Sequence, residues 1–117
     1  MTNLDYNINI DKKSGVAVVI FSGSIDINNK DKILQIVKNR LVPENKQFVL
    51  FDLNNLQYID SSGLGIFLTA RSILDKHNGD LGLVVTDKNI KKILNLAGFN
   101  KIFKIFDTSR EGCRKLK

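Results

Sequence analysis

The sequence predicts an α/β protein in which about four helices pack on a mostly parallel, mixed sheet of four to five strands. Three observations predict this class: apolar runs long enough for buried strands, helical apolar spacing between those runs, and the alternation of the two along 117 residues. The predicted order is β-β-α-β-α-β-α-β-α. Because alternating strands and helices need crossover connections, most of the strands should run parallel. A chain of this length fits one domain, residues 1–117.

The predicted strands differ in how much of their surface they bury. The stretch DYNINI alternates polar and apolar side chains, which is typical of a half-exposed strand at a sheet edge. Near-continuous apolar runs follow in GVAVVIFSG, QFVLFDL and LGLVVT, with a short one in IFKIF. Such runs suit strands covered on both faces. We expect the core to include Val18, Ile20, Val49, Phe51, Phe67, Val84 and Leu94.

Helical spacing occupies the segments between the strands. Residues 28–42 place apolar side chains on one stripe, and the helix should stop at Pro43. A second helix follows residue 60 and should end where Gly79 adopts a left-handed cap. Its predicted buried stripe consists of Ile66, Phe67, Ala70, Ile73 and Leu74. A third helix should stop at Gly98, and TSREGCRK should form a short terminal helix.

Composition limits the classes of function. An apolar content of 43% and a mean hydropathy of −0.09 fit a soluble protein, and no run approaches the roughly 18 apolar residues of a membrane helix. The N-terminus lacks the basic region and apolar core of a signal peptide, so residence in the cytoplasm is the default expectation. The single cysteine, Cys113, and the single histidine, His77, lack companions at metal-ligand spacing. We therefore expect no disulfide, no metal and no cofactor.

The charge is distributed unevenly. Residues 1–87 carry 9 basic and 10 acidic side chains, whereas residues 88–117 carry 9 basic and 2 acidic ones, a net charge of +7. Two interpretations stay open: a solvated, lysine-rich helical face, or a patch for an acidic partner, nucleic acid or an anionic membrane. Nucleic acid is disfavoured, because no interleaved aromatic residues or zinc-ligand spacing accompany the basic residues.

Two loops are the candidate functional segments, because loops beyond the carboxyl ends of strands carry function in open α/β sheets. They are SGSIDINN after the second strand and NNLQYIDSSGLG after the third. The second loop brings Asp60, Ser61 and Ser62 to the start of a helix. A serine can cap a helix. Capping accounts for one hydroxyl, but not for a carboxylate, two hydroxyls and two glycines.

The glycines and leucines of this motif indicate a docking surface. Gly63 and Gly65 disfavour a helix, but they leave space in which another backbone or a nucleotide phosphate could approach the serines. Leu64 and Leu68 fall outside the predicted buried stripe. Two exposed leucines beside an accessible serine favour docking, although single exposed leucines are also common on protein surfaces.

A phosphate on one of these serines would act as a switch. It would add about −1.5 to −2 charges, which the helix N-terminus tolerates. Asp60 would repel it, as would Asp26 if the two loops converge. Catalysis by the chain itself is poorly supported, because phosphate-loop and nucleophile-elbow motifs are absent and His77 lies roughly 20 Å along the helix from the serines. A pair of loop aspartates is more often capping and turn chemistry than an acid pair.

Over nearly its whole length the sequence resembles a STAS domain, specifically the bacterial anti-sigma factor antagonists. The resemblance lies in VVIFSGSID, in VLFDLNNLQYIDSSGLGIFLTAR and in GDLGLVVTDKNIKKILNLAGFNKIFKIFDT. The central segment contains the signature Asp-Ser-Ser/Thr-Gly-Leu-Gly, followed by an apolar helix. The resemblance implies a single STAS domain over residues 1–117. The basic last quarter departs from the neutral to acidic charge that we take as typical of these antagonists.

The resemblance implies a partner switch controlled by phosphorylation. In this family the unmodified antagonist binds an anti-sigma factor, which is also a serine kinase, and thereby releases a sigma factor. Phosphorylation separates the complex, and a PPM-type phosphatase reverses it. Carried over by motif, the phosphoacceptor is Ser61. The residues expected to bind the partner are Asp26, Asp60, Ser62, Gly63, Leu64, Gly65 and Leu68. Nucleotide and magnesium would belong to the kinase, so this chain would be its substrate and not an enzyme.

Two other functions stay open. Some stand-alone STAS proteins resemble accessory subunits of ABC-type membrane transport complexes, and the basic last quarter could then face acidic protein or lipid. The third possibility is a module that responds to a bound nucleotide.

Overall fold

The computed structural model describes residues 3–117, and within them the strands and helices follow the predicted order. The strands are β1 (Leu4–Ile10), β2 (Ala17–Ile25), β3 (Phe48–Ile59), β4 (Asp80–Val84) and β5 (Lys104–Phe106). The helices are α1 (Lys30–Gln35), α2 (Ser61–Lys76), α3 (Lys88–Leu96) and α4 (Ser109–Lys115). None of the helices in the described part of the chain is both long and apolar enough to cross a membrane.

The five strands form one mixed sheet in the order β1-β2-β3-β4-β5. Strand β1 lies at an edge and runs antiparallel to β2, whereas β2 to β5 run parallel to one another. The predicted α/β class and its mostly parallel sheet are therefore confirmed. The carboxyl ends of β2 to β5 share one edge of the sheet, and this edge carries the candidate loops.

Strands β2 and β3 extend further than predicted, through half of the residues of the two candidate loops. Leu53, Leu56 and Ile59 are all buried on the same side although they are three residues apart, a spacing that a regular strand cannot place on one face. Two irregularities in the pairing of β2 with β3 each insert one extra residue into β3. These bulges return Leu56 and Ile59 to the core face.

The first helical segment is less regular than the predicted helix over residues 28–42. A 3₁₀ turn (Ile27–Asn29) precedes α1, a π-helical stretch (Ile36–Leu41) follows it, and a second 3₁₀ turn (Val42–Glu44) ends the segment. Wider π-helical spacing lets Ile36 and Leu41, five residues apart, both face the core. Pro43 lies inside the last turn, where a proline is tolerated, so it does not stop the helix as predicted.

Helix α2 ends through Asn78, not through the predicted left-handed Gly79. Asn78 has the positive backbone angle (φ 63°), and Gly79 does not. Gly79 is required for a different reason: a Cβ there would lie 2.0 Å from the carbonyl oxygen of Gln47. The predicted stop of the third helix at Gly98 is confirmed, because α3 ends at Leu96, two residues before Gly98, which has a left-handed conformation (φ 77°).

Each face of the sheet carries its own apolar cluster. Helices α1, α2 and α3 cover one face and bury the larger cluster, to which Val49, Phe51, Phe67 and Leu94 belong. Helix α4 covers part of the other face over a smaller cluster that includes Val18, Val84 and Cys113. The expected core residues are therefore buried, except that Ile20 is only half-buried at the margin of the smaller cluster.

Candidate functional site

The two candidate loops meet at the carboxyl edge of the sheet. Ile25, the last residue of β2, lies opposite Ile59, the last residue of β3, so Asp26 and Asp60 continue neighbouring parallel strands. The first turn of α2 also approaches the end of β2, because a Cβ on Gly63 would lie 2.6 Å from the carbonyl oxygen of Ile25. The two loops therefore converge, which is the condition under which Asp26 would repel a phosphate on the serines.

Asp60 caps helix α2 and is oriented by two contacts. One carboxylate oxygen accepts a hydrogen bond from the backbone N–H of Gly63 at 3.0 Å, and the other lies 3.5 Å from the hydroxyl of Tyr58. A carboxylate is a strong N-cap, and its charge also suits the positive end of the helix dipole. The possibility that a serine caps this helix is therefore wrong, and neither serine hydroxyl is needed as the cap.

Ser61 and Ser62 are the first two residues of α2, and both are exposed. Within residues 3–117 neither hydroxyl makes a hydrogen bond to the protein, nor do their backbone N–H groups. The first N–H of α2 with a helical acceptor is that of Leu64, which donates to the carbonyl of Asp60 at 3.0 Å. Ser61 therefore presents a solvent-accessible hydroxyl beside backbone donors that can hold an anion.

Asp26 supplies a second carboxylate, which is buried with 6% of its surface exposed. It accepts from the backbone N–H of Asn28 at 2.9 Å, and the side-chain amide of Asn29 anchors the same loop by donating to the carbonyl of Ser24 at 2.8 Å. No lysine or arginine in the described chain forms an ion pair with Asp26 or Asp60. The loops around Ser61 therefore carry acidic groups without a paired cation.

The two glycines of the motif have different roles. A Cβ on Gly65 would meet no atom within 4 Å, so Gly65 leaves the expected open space beside the serines. Gly63 is buried, and a Cβ there would lie 2.6 Å from the Ile25 carbonyl oxygen and 2.9 Å from side-chain atoms of Ile25 and Ile59. The expectation that Gly63 provides space for a partner is wrong, because the end of β2 already occupies that space.

The two leucines also differ. Leu68 is 43% exposed, as expected for a docking residue, whereas Leu64 is only 8% exposed and belongs to the larger core cluster. Helix α2 packs against the α1 segment as well as against the sheet, so its buried face is wider than the stripe that its own sequence indicates. Leu64 lies on this additional buried face, and its expected place on the partner surface is wrong.

Two exposed apolar residues beside the site were not predicted. Ile27, directly after Asp26, is 59% exposed, and Tyr58, two residues before Asp60, is 50% exposed. In the sequence, each is an apolar side chain within a predicted loop, one or two residues from an aspartate. Exposed apolar surface of this kind marks many interaction sites.

Comparison with known proteins defines the family. The family model described as STAS domain matches residues 7–112. The chain belongs to the STAS domain family. An anti-sigma F factor antagonist of Paenibacillus polymyxa is 24% identical over 114 residues, which cover 97% of each chain. The crystal structure of an anti-sigma factor antagonist from Mycobacterium paratuberculosis superposes with a TM-score of 0.81 at 22% identity, covering 97% of this chain and 94% of the other.

A further solved structure has the same STAS fold. It is the Bacillus cell fate determinant SpoIIAA in its phosphorylated form, with a TM-score of 0.70 at 16% identity, covering 97% of this chain and all of the other. Both structural likenesses concern the fold, which this STAS domain shares over nearly its whole length.

The polar groups at this site of the STAS domain are a serine hydroxyl and carboxylates, and the histidine of the chain lies elsewhere. Ser61 offers a hydroxyl, but the single histidine, His77, lies exposed at the opposite end of α2. No cluster of three or more metal-ligating side chains occurs in residues 3–117. The described site thus presents an exposed serine hydroxyl next to the carboxylate that caps α2.

The cap of this STAS domain can be tested directly. We expect Asp60→Ala to lower the free energy of unfolding by about 1 kcal/mol, because it leaves the Gly63 N–H without its acceptor. Asp60→Asn is the matched control, since an asparagine keeps a capping oxygen and removes the charge, and its stability should stay close to that of the unaltered protein. Urea denaturation measures both. An alanine variant as stable as the asparagine variant would show that the cap contributes nothing.

Proposed function

We propose that this STAS domain is an anti-sigma factor antagonist, and that phosphorylation of Ser61 switches off its binding to an anti-sigma factor. The proposal rests on one observation above all: the Ser61 hydroxyl is exposed at the first position of α2, while Asp60 supplies the cap. The names of the relatives support it, since they include an anti-sigma F factor antagonist and an anti-sigma factor antagonist of known structure.

A phosphate on Ser61 would change the surface and leave the fold in place. It would add about −1.5 to −2 charges at an exposed position, where no packing is lost. The backbone N–H groups of the first turn of α2 favour an anion. Asp60 and the buried Asp26 have no paired cation in the described chain, so a partner would meet an enlarged and uncompensated negative charge. Desolvation of that charge would oppose docking.

The proposed partner surface surrounds this hydroxyl. Of the residues expected to bind, Asp60, Ser62, Gly65 and Leu68 lie at or near the surface, and Asp26 holds the neighbouring loop. Ile27 and Tyr58 add exposed apolar area on the two loops. The proposed partner is an anti-sigma factor that is also a serine kinase and supplies nucleotide and magnesium. A PPM-type phosphatase would remove the phosphate, so the chain acts as a substrate and not as an enzyme.

The test compares substitutions at the two serines in a pull-down or calorimetric titration with the anti-sigma factor of the same cell. We expect Ser61→Glu to weaken binding at least about 100-fold, because like charges placed at an interface cost several kcal/mol. Ser61→Ala tests whether loss of the hydroxyl alone matters, and this variant should bind normally. Ser62→Glu places the same charge at the neighbouring position, and this control should lose less affinity than Ser61→Glu does. Unchanged binding by Ser61→Glu would overturn the proposed switch.

Mass spectrometry of the protein from its native cell tests the modification itself. A gain of about 80 Da that maps to Ser61 is the expected result. Recovery of the unmodified chain together with an ATP-binding cassette subunit would instead favour an accessory role in transport. Binding of GTP or ATP in calorimetry, without phosphorylation, would favour a nucleotide-responsive module.

A further inference from the structure

A depression on the other face of the sheet lies between the β1–β2 turn and helix α4. Helix α4 packs over β3, β4 and β5 and leaves the surface next to β1 and β2 open. Two adjoining cavities of about 620 and 390 Å³ occupy this region, and both are lined by Asp11, Lys13, Arg110 and Cys113. We call this depression the α4 groove.

The floor of the α4 groove is apolar. Val18 and Cys113 are buried beneath it, Ile20 is half-buried, and Ile10 is exposed at its side. Burial raises the pKa of the Cys113 thiol, and the nearby Asp11 carboxylate raises it further. The thiol therefore stays neutral at physiological pH and contributes apolar surface to the floor. One apolar side chain of a ligand would find a complementary surface here.

The rim of the α4 groove is strongly basic. Lys12 and Lys13 come from the β1–β2 turn, and Arg110 and Arg114 come from α4. None of these four forms an ion pair within residues 3–117. Among the residues that the structure describes, Asp11 is the one acidic side chain that lines the groove.

The carboxylate of Asp11 is already engaged. It accepts from the hydroxyl and the backbone N–H of Ser14 at 2.6 and 2.9 Å, and these bonds lower the pKa of the Asp11 carboxyl. Glu111, also on α4, pairs instead with Lys115 at 3.8 Å. The residues that line the groove thus carry four positive charges and one negative charge, a net of +3.

We propose that the α4 groove binds an acidic peptide segment of a partner protein, with one apolar side chain on the floor and several carboxylates on the rim. The net charge of the rim favours an occupant with about three negative charges, whereas a fatty acid brings one. Val18 and Cys113 of the floor are only 6% and 9% exposed, so a single inserted side chain fits the floor better than a flat bilayer does. The proposal assigns a role to Arg110 and Arg114, two of the cations in the basic last quarter of the chain.

The α4 groove can act independently of the serine switch. It lies on the sheet face that α4 covers in part, whereas α2 packs on the opposite face. It also lies near the edge of the sheet where β2 begins, and Ser61 lies at the edge where the parallel strands end. Phosphorylation of Ser61 should therefore leave binding in the groove unchanged.

The probe for the test is the peptide Asp-Glu-Leu-Glu with an amidated C-terminus and an uncharged fluorophore on its N-terminus, which carries three negative charges and is titrated with the full chain by fluorescence anisotropy. We expect the double substitution Lys13→Gln, Arg110→Gln to raise the Kd about tenfold, equivalent to about 1.4 kcal/mol. The control Lys92→Gln, Lys101→Gln removes two exposed charges from the α3 side and should leave the Kd nearly unchanged. A peptide with serine in place of leucine should bind more weakly, because it lacks the apolar side chain for the floor. The Ser61→Glu variant of the protein should bind the original peptide with the same Kd as the unaltered chain.

Several outcomes would overturn the proposal. Absence of peptide binding at low salt would do so, as would equal weakening by the control substitutions, which would indicate a general effect of net charge. Tighter binding of a single-stranded oligonucleotide, or of vesicles rich in anionic lipid, with the same dependence on Lys13 and Arg110 would assign the groove to another class of partner. When the peptide is added, the amide chemical-shift changes of the protein should concentrate in the β1–β2 turn and in α4. Changes concentrated elsewhere would overturn the proposed location.

Discussion

Phe67→Ala is expected to lower the free energy of unfolding by about 3–5 kcal/mol, the largest effect of a single side chain that we predict. Phe67 is fully buried, and its ring lies edge-on to Phe51 with 5.5 Å between the ring centroids. Phe51 makes a similar contact with Phe21 at 5.0 Å, so the substitution opens a cavity at one end of an aromatic row. A loss of this size threatens a domain whose whole stability is about 5–15 kcal/mol.

Leu68→Ala is the matched control, because it removes an apolar side chain from the next position of the same helix. Leu68 is largely exposed, so we expect a stability loss below about 1 kcal/mol together with weaker binding of the anti-sigma factor. Urea denaturation gives the stability of each variant, and a pull-down gives its binding. Equal stability losses in the two variants would contradict the assignment of the α2 faces.

Gly63→Ala should have the second largest effect. Its new Cβ would lie 2.6 Å from a backbone oxygen of Ile25, and neither α2 nor β2 can move without disturbing the packing of α2 on the sheet. We expect a loss of about 1–3 kcal/mol, as for other overpacked sites. The start of α2 should also shift, so phosphorylation of Ser61 by the proposed partner kinase should slow. Denaturation and a phosphorylation time course measure the two effects.

Gly65→Ala tests the same substitution where space is available. Its Cβ would meet nothing within 4 Å, and alanine favours a helix over glycine by up to about 1 kcal/mol. This variant should therefore be at least as stable as the unaltered protein, while the added methyl group beside the serines should weaken partner binding. A Gly63→Ala variant as stable as Gly65→Ala would refute the close approach of α2 to the end of β2.

Much of the architecture and the position of the site could be predicted from the sequence. The apolar runs identified the strands, and the apolar spacing placed α2, α3 and α4 close to their observed bounds. The motif also located Ser61 at the start of a helix. These features depend on local patterns, since the period of a segment and its turn residues act over a few positions.

By itself, then, the sequence determined the order of the elements and an exposed serine at the amino end of α2. Only the tertiary structure decided that Asp60 caps this helix, that Gly63 and Leu64 are buried and that β3 continues to Ile59 through two bulges. Each of these outcomes depends on a neighbour that is distant in the sequence: the end of β2 fills the space beside Gly63, and the α1 segment widens the buried face of α2. Periodicity reports one face of an element, whereas burial depends on every surface that packs against it.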